Sequence, residues 1–174
     1  NGSNNWTTSE FNTINLNTNY WNYLGTTWQS LIAEVTWYLG GMEDNVYTAK
    51  EFYDGERSNV GAGSNPTTYT DEIGLMYPSD YGYAASPDAW ATNLGSYSNS
   101  TITSNNWIYM GLNEWTITPY LVLIYNVFYV TDSGLLNLTD TTAGLATRPV
   151  FYLNSGVEFS GGTGTSSDAY TLVV

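Results

Sequence analysis

Three clusters of neighbouring carboxylates, two arginines and a set of aromatic rings in loop-like stretches are the chemically capable residues of this chain. The clusters are Glu43-Asp44, Asp54 with Glu56, and Asp71-Glu72. Calcium takes oxygen ligands of this kind, so Asp54, Glu56, Asp71 and Glu72 form a candidate calcium set. No stretch has the spacing of a known calcium loop, and solvated acidic turns are the competing reading. Paired carboxylates also serve glycoside hydrolysis, where their separation in space decides the chemistry. With 16 Asp and Glu in the chain, pairing along the sequence has no specificity. The chain has no His and no Cys. That removes the commonest general base, thiol nucleophiles and zinc–thiolate sites. A Ser–His–Asp triad is excluded. The expectation is a protein that is not an enzyme.

Arg57 and Arg148 are two of only three basic residues. Arg148 sits in the β-forming run Thr147-Arg148-Pro149-Val150-Phe151-Tyr152-Leu153, where its five fixed donors need partners. The expectation for both arginines is a structural ion pair or a fork onto backbone carbonyls. The alternative is a clamp for a carboxylate or phosphate ligand. Tyr77, Tyr81, Tyr83, Trp90 and Trp107 fall near loops, and aromatic faces of this kind stack on sugar rings. They are the candidate ligand-binding set. Most large aromatics are instead core or interface residues.

The elements that must position these residues come from pattern and composition. The chain has 174 residues, enough for one domain. Hydrophobic residues make up 42%, so chain entropy can be offset by burial despite the many Asn, Ser and Thr. The net charge of −13 argues against nucleic acid and anionic membrane surfaces as partners. No stretch approaches the roughly 20 apolar residues of a membrane-spanning helix. The chain starts at Asn1-Gly2-Ser3 without a signal peptide, so the expectation is that any leader lies upstream and was removed. Sequons at Asn1, Asn5, Asn99 and Asn137 matter only in a host that glycosylates exported proteins.

Two capping boxes, Thr7-x-x-Glu10 and Thr48-x-x-Glu51, predict short helices, with staple pairs Trp6/Phe11 and Tyr47/Phe52. Phe11 and Ile14 are expected on one helix face. A helical turn over 19–24 would face Tyr20, Trp21, Tyr23 and Leu24 inward. Residues 31–39 and 73–76 read as strands, 58–70 as a loop and 77–83 as a turn. Ser86-Pro87 predicts a short helix to Trp90. Residues 91–106 read as loop. The last third reads as β at about 115–118, 121–130, 149–153, 157–159 and 170–174, with Gly161-Gly162-Thr163-Gly164 as a turn. Helices early and strands late give an α+β class.

The order Glu114-Trp115-Thr116-Ile117-Thr118-Pro119, then Val127-Phe128-Tyr129-Val130 with Ser133-Gly134, then Arg148-Pro149 resembles the C-terminal core of C-type-lectin-like and formylglycine-generating-enzyme-like folds. The resemblance implies a single C-type-lectin-like domain, with an antiparallel sheet in the C-terminal half and Arg148, Arg57 and Trp115 as structural residues. The formylglycine-generating relatives use cysteines and metal, which this chain lacks in that form. A second resemblance covers nearly the whole chain. Ile73-Gly74-Leu75-Met76-Tyr77-Pro78-Ser79-Asp80-Tyr81-Gly82-Tyr83-Ala84, with Trp37-Tyr38-Leu39-Gly40-Gly41 and Glu56-Arg57, resembles uncharacterised exported proteins of Gram-positive bacteria. Many of these resemble the globular region of type IV pilins or pseudopilins. This implies an extracellular domain at the cell surface or on a filament, in contact with copies of itself. The hydrophobic pilin helix is not in this chain, nor is the Cys that relatives often carry near Trp107. The leading expectation is a non-catalytic filament subunit or adhesin module. The alternative is a module binding a glycan or host receptor, with calcium as a possible aid.

Overall fold

Asn5, rather than Thr7, opens the first turn. In the computed structural model, which describes residues 2–98, 100–165 and 167–173, the Asn5 side-chain oxygen accepts the N–H of Thr7 at 3.1 Å. A 3-10 turn, Trp6–Thr8, follows. The Trp6 and Phe11 rings do meet, edge to face at 6.3 Å. The helix behind them, Phe11–Tyr20, is a π-helix that runs on into α1 (Trp21–Gln29), interrupted at Gly25. Its i→i+5 bonding shifts the periodicity away from that of an α-helix. Asn12 and Leu16 are therefore its buried residues, and Ile14 is exposed. Tyr23 is 86% exposed, which corrects the inward-facing expectation.

The second capping box forms as its sequence predicts. Thr48 Oγ1 accepts from the N–H of Glu51, and Glu51 Oε2 accepts the N–H of Thr48 at 2.8 Å. This starts α2 (Ala49–Glu56), with Tyr47 and Phe52 rings packed at 6.3 Å. Before it come β1 (Ile32–Ala33) and β2 (Val35–Tyr38). The expected loop 58–70 ends in β3 (Thr68–Asp71), which pairs with β2, and β4 (Gly74–Leu75) follows. Residues 77–83 are not a turn. They form α3 (Pro78–Tyr83), with Pro78 preset for its first turn and Asp80 Oδ2 accepting the N–H of Tyr77 at 3.1 Å. α3 lies close on α2 because residue 82 is glycine. A Cβ there would come within 2.5 Å of the Ala49 Cβ. The expected loop 91–106 contains a 3-10 turn, Leu94–Ser96, and α4 (Ser100–Ser104). Ser86 precedes a 3-10 turn, Pro87–Ala89, without a side-chain cap.

β5 (Glu114–Pro119), β6 (Asn126–Val130) and β7 (Leu136–Asp140) form one antiparallel meander. Residues 122–125 are not strand but an exposed apolar loop, Val122-Leu123-Ile124-Tyr125. β8 (Pro149–Val150) returns to pair with β4, and β9 (Tyr152–Leu153) with β1. Among the described residues, β10 (Glu158–Gly161) and β11 (Thr171–Val173) pair only with each other. The class is mixed α+β. The division into early helices and one late sheet is corrected: there are five small antiparallel sheets among the described residues, two of them built from both halves of the chain. No helix is long and apolar enough to cross a membrane among those residues.

Two hydrophobic clusters result. Phe52, Tyr81, Leu94, Tyr97, Phe128 and Leu136 centre one, beneath α2 and α3. Trp6, Leu16, Trp37, Ile73, Tyr77 and Ile117 centre the other. The N-terminal segment is tied down within the chain. Buried Asn4 donates to the carbonyls of Tyr120 and Asn126 at 3.0 and 2.8 Å and accepts from Asn65 Nδ2 at 2.9 Å. The polar N-terminal segment is thus ordered by contacts within its own chain.

Arg148 closes the last crossover onto β5. Its Nε and Nη2 donate to the two Glu114 carboxylate oxygens at 2.7 and 2.8 Å, and Nη2 also reaches the Ile108 carbonyl at 2.8 Å. Glu114 is buried, while a quarter of the Arg148 side chain remains exposed. Trp115, half-buried beside this pair, packs against the Trp37 cluster. Removing the cation strands a buried carboxylate. Arg148→Met is expected to cost about 3 kcal/mol of stability by urea unfolding, with part recovered when Glu114→Gln is added. Equal unfolding midpoints for wild type and Arg148→Met would contradict this.

Candidate functional site

The five aromatic residues singled out as ligand-binding divide into two groups. Tyr77 and Tyr81 lie in the interior, because residues 77–83 fold as a helix start and helix rather than an open turn. The Tyr77 oxygen accepts the N–H of Tyr38 at 2.7 Å, and Tyr81 donates to the Gly134 carbonyl. Neither ring is exposed for a sugar to stack on. Tyr83, Trp90 and Trp107 remain on the surface and are gathered at the end of α3. The Tyr83 and Trp90 rings meet edge to face at 5.3 Å. Trp90 Nε1 donates to the Ala85 carbonyl at 3.0 Å, and the Trp107 N–H to the Ala84 carbonyl at 3.3 Å. Trp107 is 80% exposed. The sequence distance of 24 residues between Tyr83 and Trp107 hid this grouping.

The four carboxylates expected as a calcium set do not meet. Asp54 is exposed on α2 and bound to Lys50 at 2.6 Å. Glu56, two residues on, faces the interior and accepts the N–H of Ser79 at 3.0 Å and the Ser79 hydroxyl. Asp71 and Glu72 lie half-buried at the end of β3, where a hydrogen bond donated to the Asp71 carboxylate, then burial, raises the Glu72 carboxyl above its ordinary value. Among the described residues, no three carboxylates converge on a point where an ion could sit.

Arg57 lies at the end of α2 with its guanidinium carbon 3.6 Å from the Tyr53 ring centre. Its Nη1 donates to Glu56 Oε2 at 3.2 Å. Burial dominates the Glu56 environment and raises its carboxyl to about 7, against the Ser79 donors and Arg57, which pull it down.

A cavity of about 280 Å3 opens between the N-terminal turn and β5, walled by Trp6, Phe11, Leu75, Trp115 and Ile117. Thr141, from beyond β7, reaches the same cavity. The Trp6 Nε1 and Thr141 Oγ1 atoms have no hydrogen-bond partner among the described residues. Trp6 and Phe11 are legible in the sequence as a helix staple, but no local signal brings Thr141 to them. Of the sequons, Asn137 is exposed on β7 and Asn5 is spent on the first turn, while Asn1 and Asn99 lie outside the described residues.

The last stretch of chain has almost no cover. Among the described residues from Tyr152 to Val173, only Val157 and Leu172 are not exposed. Phe159 and Tyr170 stack across the β10–β11 hairpin at 4.9 Å, yet are 71% and 57% exposed.

The buried Glu56 generates a pH dependence. Its folded value of about 7 exceeds the ordinary 4.5, so between those limits the native state keeps a proton that the unfolded chain has lost. Stability therefore falls as the pH rises through this window and levels off above it. Between pH 5 and pH 8 the Glu56 contribution is expected to fall by about 2–3 kcal/mol. Glu56→Gln should flatten that part of the profile. Parallel urea-unfolding profiles for the two proteins would contradict the assignment.

No family model, curated protein or solved structure matches this chain, so its function rests on the chemistry of these surfaces.

Proposed function

We propose that this chain is a non-catalytic extracellular domain that assembles with copies of itself, as a pilin-like filament subunit or surface adhesin module. The observation that carries the reading is the bare C-terminal hairpin. A lone two-stranded hairpin is marginal in water, since three strands or a packed face are needed for independent stability. Among the described residues, β10 and β11 have each other and no third strand. Their outer edges are unpaired, and Phe159 and Tyr170 present apolar area to solvent. A second copy supplies what is missing: its exposed Val122-Leu123-Ile124-Tyr125 loop is an apolar surface of the same chain. Hairpin on loop is a heterologous contact, which builds a fibre wherever its rotation does not close into a ring. The C-type-lectin-like reading is supported by the pairing of β5 with β6 and by the return of Arg148 onto β5.

A second reading, capture of a glycan or protein receptor, is favoured by the gathering of Tyr83, Trp90 and Trp107. Exposed aromatic rings of this kind offer large contact area at low entropy cost. This reading needs no calcium ion held by the Asp54, Glu56, Asp71 and Glu72 set.

Sedimentation and electron microscopy of the intact protein test the assembly. Large species or filaments are expected for wild type, and their loss when Phe159→Ser and Tyr170→Ser are combined. The melting temperature should hold within a few degrees, because neither ring belongs to the two clusters. A wild-type protein that stays monomeric at high concentration would end this reading.

A further inference from the structure

Arg57 differs from the other two cations in what it leaves free. Lys50 is spent on Asp54, and Arg148 on Glu114 and the Ile108 carbonyl. Arg57 uses a single nitrogen: Nη1 donates to the Tyr53 carbonyl at 3.4 Å and to Glu56 at 3.2 Å. Its Nε and Nη2 have no protein acceptor among the described residues. The Tyr53 ring covers one face of the guanidinium, and the Tyr77 and Tyr38 ring centres lie 5.1 and 5.7 Å from its carbon. Stacking uses the face of the group and leaves its edge for planar hydrogen bonding.

A cavity of about 230 Å3 adjoins this group. Val35, Trp37 and Tyr38 form its apolar wall, and Arg57, Tyr77 and Tyr152 bring the donors. Tyr77 is buried, and its oxygen already accepts the N–H of Tyr38. Its own proton has no acceptor. Burial holds this phenol well above its ordinary range, so the proton stays in place at neutral pH. The half-exposed Tyr152 hydroxyl has no protein partner among the described residues either. Thr36, the remaining lining residue, faces Thr70 at 3.5 Å. No Asp or Glu lines the cavity, in a chain that has 16 of them. Donors without acceptors, beside a guanidinium edge, are the complement of an oxyanion. The apolar wall fits an organic group attached to it.

We propose that this cavity binds the carboxylate of a small organic acid, held by the free edge of Arg57 and the hydroxyls of Tyr77 and Tyr152, with the organic part against Val35 and Trp37. Glu56 and Asp80 act on Arg57 from outside the cavity and reduce its pull on an anion. The affinity expected is accordingly modest, on the order of millimolar.

The test is a titration of the intact protein with sodium benzoate, followed by amide and indole NMR shifts at constant ionic strength. Saturable shifts are expected at Trp37 and Tyr152 in wild type. Arg57→Gln should weaken binding at least about tenfold, the scale of a lost charge-assisted pair. Tyr152→Phe, a half-exposed site without a protein hydrogen bond, should weaken it several-fold with the fold intact. Absence of saturable shifts, equal shifts with sodium chloride, or benzoate affinity unchanged in Tyr152→Phe would each overturn the proposal.

Discussion

A carboxylate sealed in the interior sets the relation between the two helices that organise this protein. Glu56 ends α2 and takes both the N–H and the hydroxyl of Ser79 at the start of α3. These donors would otherwise be orphaned in the interior, since Ser79 and Glu56 are both without exposure. The same bond fixes the rotation of α3. Tyr77 and Tyr81 are then carried inward to the two hydrophobic clusters, and Tyr83 outward to Trp90. Arg57, the next residue along, is left on the rim with one nitrogen on Glu56 and its face on Tyr53. Core, surface aromatics and the guanidinium edge thus follow from where one buried acid finds its partners.

This arrangement explains which features were legible in the sequence. Thr48 and Glu51 satisfy each other within a single turn, so local spacing alone determines the cap. Thr7 and Glu10 have the same spacing and fail, because Asn5 captures the Thr7 N–H first. The competition between two good capping residues, resolved by a π-helix downstream, has no local signature. Pro78 and Asp80 were visible, but Tyr-Pro-Ser-Asp and two nearby aromatics read equally as a turn or as a helix start. As a turn the stretch would expose Tyr77 and Tyr81; as a helix start it buries both. β7 does carry a local signal: Leu136-Asn137-Leu138 alternates inward and outward positions as a strand should.

The pairs β1–β9 and β4–β8 lie at the opposite extreme. They join residues 32–33 to 152–153 and 74–75 to 149–150 through strands of two residues each. The stretches 31–39, 73–76 and 149–153 read as strands in the sequence, but which of them pair, and over only two residues, is set by tertiary placement. Arg148 was expected to find a carboxylate or carbonyls, and it holds both. Which carboxylate could not be read, because Glu114 is brought to it by the crossover of the chain. The metal set failed for the same reason in reverse. Asp54 and Glu56 are close in sequence, but a two-residue step on a helix turns one to solvent and the other to the core.

Charge also constrains how copies of this chain can meet. Its 16 acids face three cations, and each cation has a bond within its own chain. Apart from the free edge of Arg57, salt bridges between copies are therefore nearly unobtainable, and approach is opposed by a net charge of −13 on each. That repulsion is screened over about 8 Å at physiological ionic strength, so it acts on approach more than at contact. What remains to hold two copies is apolar area and unpaired backbone. The C-terminal hairpin concentrates both: Phe159 and Tyr170 on its surface and free strand edges on either side. A contact of that kind has little dependence on side-chain charge once formed. It is expected to strengthen as salt screens the repulsion, the opposite of a contact built on ion pairs.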